Sequence, residues 1–134
     1  MTKALLVMGG ILNTIFFLFH VLLGYQIHRL TDVSLKYRGL MEALNVTGVL
    51  FLFFFAYVSF FCGAELLGTR LGRTVLALVS ALYLSRALEE FILFNSNLTI
   101  FVACALLGAV YVVLLSCALR GGSALPVAKP TGQG

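Results

Sequence analysis

Charge is the scarcest thing in this chain of 134 residues. Only 10% of its residues are Asp, Glu, Lys or Arg, while 61% are hydrophobic. With a mean hydropathy of +1.07, that balance excludes an ordinary water-soluble globule and makes lipid the main solvent. Cysteine is nearly as scarce. Cys62, Cys104 and Cys117 are odd in number, show no CxxC or metal-ligand spacing, and sit in or beside apolar runs. A disulfide framework and a zinc site are therefore excluded, and the three read as small packing residues. A basic stripe is missing too. The formal charge of +4 comes from residues scattered between apolar runs, without the interleaved aromatics of a nucleic-acid surface. No small-x-small cleavage site follows the first apolar run, which continues to about Ile27, so that run reads as a retained span.

What is present is length in the apolar runs. A bilayer core about 30 Å thick takes roughly 20 helical residues, and four segments reach that: approximately 5–27, 40–62, 74–94 and 98–119. The expected fold is an all-α, antiparallel bundle of four transmembrane helices, residues 1–119, followed by a disordered polar tail, 120–134. Only Asn95, Ser96 and Asn97 separate the third and fourth segments, which requires a tight hairpin. The linker GAELLGTRLGR, residues 63–73, has glycines suited to leaving one helix and starting another. In the first loop Leu30, Val33, Tyr37, Leu40 and Met41 recur at helical spacing, compatible with a short helix on the membrane surface; because Gly39 interrupts that pattern, an irregular loop running directly into the second span fits equally well.

Four spans put both termini and the second loop on one side. Lys3, Arg70, Arg73, Arg120 and Lys129 lie there against Glu65 alone, whereas Arg29, Lys36, Arg38 and Arg86 on the other side are balanced by Asp32, Glu42, Glu89 and Glu90. The positive-inside rule then predicts cytoplasmic termini in a multi-pass protein of the cell (inner) membrane. Two Asn-x-Ser/Thr sequons, at Asn45 and Asn97, fall too close to the lipid to be glycosylated.

The stretch YLSRALEEFILF, residues 83–94, breaks the apolar pattern. Arg86 lies about 13 Å below the hairpin and pairs with Glu89 or Glu90 at i,i+3 or i,i+4, with Tyr83 on the same face. On the first helix His20 sits roughly 10 Å below the outer end, with Gln26 and His28 nearer the surface. The second helix brings in Glu42 and Asn45. Three helices thus carry polar groups at one depth, where an ionisable side chain costs about 2.5–3.5 kcal/mol. His20, Glu42, Asn45, Tyr83, Arg86, Glu89 and Glu90 form the candidate cluster, with Gln26, His28, Arg29 and Arg38 at its rim. The inner half holds only uncharged candidates, among them Asn13, Tyr57, Ser59 and Ser116.

Three kinds of role suit such a cluster: glue between helices, a site for a small polar or amphipathic ligand, and an interface with a second copy or another membrane subunit. His20, flanked by Phe16, Phe17 and Phe19 and one turn from Gly24, has the surroundings of a haem or chlorin ligand. No other helix supplies a histidine, so a bis-histidine haem would need a partner chain. Glu42, Glu89, Glu90 and His20 have the ligand types of a carboxylate-bridged metal pair but lack its paired ExxH pattern. No Ser-His-acid or Cys-His enzyme motif is recognisable. The phenylalanine block of residues 51–61 reads as lipid-facing on one side and core on the other. Ala77, Ala81 and Ser85, and Cys104 with Gly108 or Ala105 with Ala109, form small-xxx-small ridges for close helix packing. The expectation is therefore a small membrane binding, transport or accessory module; a redox or lipid-modifying enzyme, a haem or pigment subunit and a purely structural subunit are the alternatives.

Overall fold

The computed structural model describes residues 2–93 and 98–122. It contains five helices: α1, Thr2–His28; α2, Leu35–Phe61; α3, Gly63–Gly68; α4, Arg70–Leu93; and α5, Leu98–Gly122. No strand occurs among the described residues. Three helices, α1, α2 and α5, are long and apolar enough to cross a membrane. Within their apolar windows only 22%, 33% and 28% of residues are buried by the protein itself, so most of the apolar surface points outward. In water that surface would be one large apolar patch; in a bilayer it is the wall facing lipid.

The links decide how the helices are arranged. At the end of α1 the chain tightens through bonds from Arg29 N–H to the Gln26 carbonyl and from Leu30 N–H to the Ile27 carbonyl, both 3.1 Å. It re-enters a helix at Leu35, after Ser34 in an extended conformation. There is no separate surface helix in the first loop. Its Tyr37, Leu40 and Met41 belong to the first turns of α2, which continues through Gly39. At 1.5 Å per residue its 27 residues extend about 40 Å, long enough for those turns to stand clear of the hydrocarbon.

Residue 62 is only a kink. Cys62 still donates its N–H to the Val58 carbonyl at 3.0 Å and accepts from Leu66 at 2.9 Å. Residues 63–68, read above as linker, are the short helix α3. Thr69 then starts α4: its hydroxyl accepts the Gly72 N–H at 2.9 Å and donates to the Glu65 carbonyl at 2.8 Å, a side-chain cap across the corner. A Cβ on Gly72 would lie 2.1 Å from the Glu65 carbonyl oxygen and 2.4 Å from Leu66 Cα, so glycine is required for α3 to fold this tightly onto α4.

Two helix pairs, α1 with α2 and α4 with α5, make the bundle, joined along α1 and α5 and closed at one end by α3. Leu76, Val79, Tyr83, Ala87 and Glu90 mark the inward face of α4 at helical spacing, against Cys104, Leu107, Tyr111, Leu114 and Ala118 of α5. The Cys104–Gly108 ridge faces α4: a Cβ on Gly108 would meet Leu84 at 2.8 Å. The Ala77, Ala81 and Ser85 ridge, by contrast, is exposed, because α4 turns its larger apolar residues inward. Cys104 is a core residue, and the three cysteines are free thiols. The helical part of α5 includes Arg120 and ends at Gly122, so the expected tail boundary at 120 falls inside a helix. The 95–97 hairpin with its Asn97 sequon, and residues 123–134 of the expected tail, lie outside the described residues.

Candidate functional site

The deepest polar group is one that charge-counting passes over. Asn13 of α1 and Tyr111 of α5 are fully buried, and Ser59 of α2 and Tyr83 of α4 are buried beside them. The Asn13 side-chain amide donates to the Gly9 carbonyl at 2.7 Å and to the Tyr111 hydroxyl at 2.6 Å. Its carbonyl oxygen accepts a short bond from the Tyr83 hydroxyl. The Tyr111 hydroxyl also bonds Ser59 Oγ at 2.7 Å. The tyrosine rings lie parallel, 7° apart, with centroids separated by 6.4 Å. Glycine makes the approach possible, since a Cβ on Gly9 would stand 2.9 Å from the Tyr111 hydroxyl. Four helices are tied by one closed network in which both amide hydrogens and the amide oxygen are used.

Of the four uncharged candidates in the inner half, only Asn13 and Ser59 enter this network. Tyr57 is exposed, and Ser116 bonds the carbonyl of its own helix at Val112, 2.8 Å away. Tyr111 was not singled out from sequence. Its signal was there: a tyrosine in mid-span brings a hydroxyl that must find a partner.

Toward the other end of α1, His20 and Asn45 hold each other reciprocally. The Asn45 amide donates to the His20 backbone carbonyl at 3.0 Å, which turns the Asn45 Oδ1 to His20 Nδ1, also at 3.0 Å. Gly24 does not make room for a flat cofactor beside His20; it makes room for Asn45, whose Nδ2 lies 2.7 Å from where a Cβ would be. The sequon asparagine is thus 9% exposed and spoken for. Gly48 of α2 lies under the imidazole, 3.6 Å from Nδ1 by the same measure, and the Phe19 ring stands edge-on to it at 5.7 Å.

On α4 the two carboxylates beside Arg86 differ. Glu90 is buried, its side chain only 4% exposed, and lies 2.8 Å from the guanidinium; Glu89, 54% exposed, lies 3.9 Å away. The i,i+4 partner therefore neutralises Arg86 inside the bundle, and the i,i+3 partner sits at its edge.

Glu42 does not join them. Its carboxylate is shared between His28 at 3.1 Å and Arg38 at 4.0 Å, and Arg38 also donates to the Leu30 carbonyl at 3.2 Å. This group sits at the exposed start of α2, beside the first loop, because Glu42 lies only two turns into the helix. Arg29 stacks over the Tyr25 ring at 4.8 Å, and Gln26 is exposed. Of the rim residues, His28 and Arg38 gather on Glu42, while Arg29 and Gln26 lie outside that group.

A cleft of about 430 Å³ lies among all four long helices. Phe16, Phe19 and His20 of α1, Phe51 and Phe55 of α2, Tyr83 and Arg86 of α4, and Cys104 of α5 are among its walls. Three members of the sequence-derived cluster, His20, Tyr83 and Arg86, meet here, with Asn45 bonded to the first and Glu90 to the last. The walls are otherwise apolar and largely aromatic, and part of the phenylalanine block supplies them. Such a space, in the usual size range of small-molecule sites and with few polar groups, has the size and lining to accommodate a small amphipathic molecule. Among the described residues no three His, Cys, Asp or Glu side chains converge as a metal site would require, since Glu42 and His20 are committed to different pairs.

Comparison with known protein families, characterised proteins and solved structures finds no match to this chain.

Proposed function

We propose that the protein is a small binding module of the cell membrane, crossing it four times with both termini cytoplasmic, whose central cleft holds a small amphipathic molecule drawn from the bilayer. Three helices have the length and apolarity of spans. The 24-residue α4 is the proposed fourth, about 36 Å long by its rise, with Arg86 and Glu90 paired rather than left as separate charges in lipid. Lys3, Arg70, Arg73, Arg120 and Lys129, against Glu65 alone on the same side, support cytoplasmic termini by the positive-inside rule.

The observation that carries the reading is the cleft itself. It gathers aromatic walls from α1, α2 and α4 around His20 and Arg86, and two of those helices, α1 and α2, have the length and apolarity of spans. A ligand reaching that space has to dissolve in the membrane, and its body would displace lipid chains from the phenylalanine walls. Its polar end would lie by His20 and Arg86, because the rest of the lining offers little to hydrogen-bond it.

The test is co-purification. Protein extracted in mild detergent and exchanged into nanodiscs of defined phospholipid is expected to retain one non-phospholipid component, seen by solvent extraction and mass spectrometry. Gly48→Leu, which fills the cleft beneath His20, should release it. A wild-type preparation carrying only the added phospholipid would contradict the proposal.

A further inference from the structure

Resting on that reading of the cleft, we infer that its ligand belongs to one chemical class: an uncharged, ring-bearing lipid that donates a hydroxyl hydrogen to Nε2 of His20, as a quinol or long-chain phenol would. The first step is the tautomer. Asn45 Nδ2 is occupied with the His20 backbone carbonyl, so the atom facing His20 Nδ1 is the Asn45 oxygen, an acceptor. Nδ1 of the neutral imidazole must then carry the ring's hydrogen, and Nε2 carries the lone pair. No protein group among the described residues bonds Nε2. The histidine in the wall of the cleft therefore offers an acceptor, and an acceptor selects a donor.

Charge supplies the second step. Arg86 lies beside Glu90 at 2.8 Å and Glu89 at 3.9 Å, so its positive charge is already matched by carboxylates. An anionic head group brought to this wall would find the Arg86 charge already matched, and its desolvation would go uncompensated. A neutral head group avoids that cost. Shape supplies the third step: Phe16, Phe51, Phe55 and Tyr83 surround the space with ring faces and edges, which suit a flat ring better than a bare acyl chain. Asn45 is then a positioning residue, acting on the ligand through the tautomer of His20.

The experiment uses three probes with the same short alkyl tail, measured anaerobically on the full chain in nanodiscs: a hydroquinone, its di-O-methyl ether and the corresponding quinone. The hydroquinone is expected to bind about tenfold more tightly than either of the others, since only it donates a hydrogen bond. His20→Phe and Asn45→Leu should bring the three affinities together. If the dimethyl ether binds the wild type as tightly as the hydroquinone, the hydroxyl-donor assignment is overturned while an occupied cleft stands. A preference that persists in His20→Phe overturns the role given to that residue. Failure of all three probes to bind overturns the class, and the co-purification measurement separately decides whether the cleft is a site at all.

Discussion

Two polar regions lie inside one small bundle and use their hydrogen bonds differently. Around Asn13, every side-chain hydrogen-bonding function of the amide is taken by Gly9, Tyr83 and Tyr111, and Ser59 completes the group. Around His20, Asn45 takes one ring nitrogen and leaves the other, and the ring stands in the wall of a cleft. The first region is closed in its hydrogen bonding, although Tyr83 also stands in the wall of the cleft and Ser59 in that of a second pocket between α1, α2 and α3. The second leaves one ring nitrogen open beside the cleft. In hydrocarbon an unsatisfied polar atom has no water to turn to, so a closed network contributes rigidity and an open one contributes recognition. Polarity inside a membrane protein is therefore not by itself a sign of a site; an unspent acceptor beside unfilled space is a better one.

The contrast can be broken by substitution, and the closed region should respond most in stability. Asn13→Leu leaves the Tyr83 and Tyr111 hydroxyls without their shared partner and is expected to cost about 3 kcal/mol, read as a lowered unfolding midpoint in an SDS titration. A midpoint unchanged from wild type would mean that the four helices are held by apolar packing alone. Gly72→Ala, which touches neither polar region, should cost about 2 kcal/mol because backbone atoms of α3 stand where its methyl group would go. Arg86→Ala should cost about 2 kcal/mol by leaving Glu90 buried without its cation, whereas Lys36→Ala in the exposed first turn of α2 should change expression and stability little. Equal behaviour of those two variants would place the charges of α4 in water. Smallest of all, His28→Gln at the rim should shift stability by less than about 0.5 kcal/mol and mainly in low salt, since its partner Glu42 is also served by Arg38.

Much of the architecture could be read from hydropathy because the relevant signal is long and uniform: α1, α2 and α5 announce themselves by unbroken apolar length. The i,i+4 pairing of Arg86 with Glu90 was equally accessible, being a matter of helical geometry within one element. Rotation about the helix axes was harder. α1 and α2 are apolar on all sides, so their sequences do not say which face meets the bundle and which meets lipid. That is why Glu42 was expected beside Arg86 and is instead paired with His28. It is also why the network linking Asn13 to Tyr111, 98 residues away, had no trace in local pattern. Small residues misled in a similar way. Ala77, Ala81 and Ser85 make a ridge whose spacing suits packing, but the choice between inside and outside went to the larger Leu76, Val79 and Tyr83. Gly24 was read as space for a cofactor and is space for an asparagine amide.

The most direct measurement compares the two regions for bound ligand. Native mass spectrometry of wild type, Gly48→Leu and Ser59→Ala, each ejected from the same nanodiscs, reports how much of each carries a small non-phospholipid adduct. Wild type and Ser59→Ala should carry it alike, because Ser59 belongs to the closed network, and Gly48→Leu should lose it. Equal adduct on all three proteins, or none on wild type, would contradict the claim that the cleft beside His20 and Arg86 is the place where this protein binds.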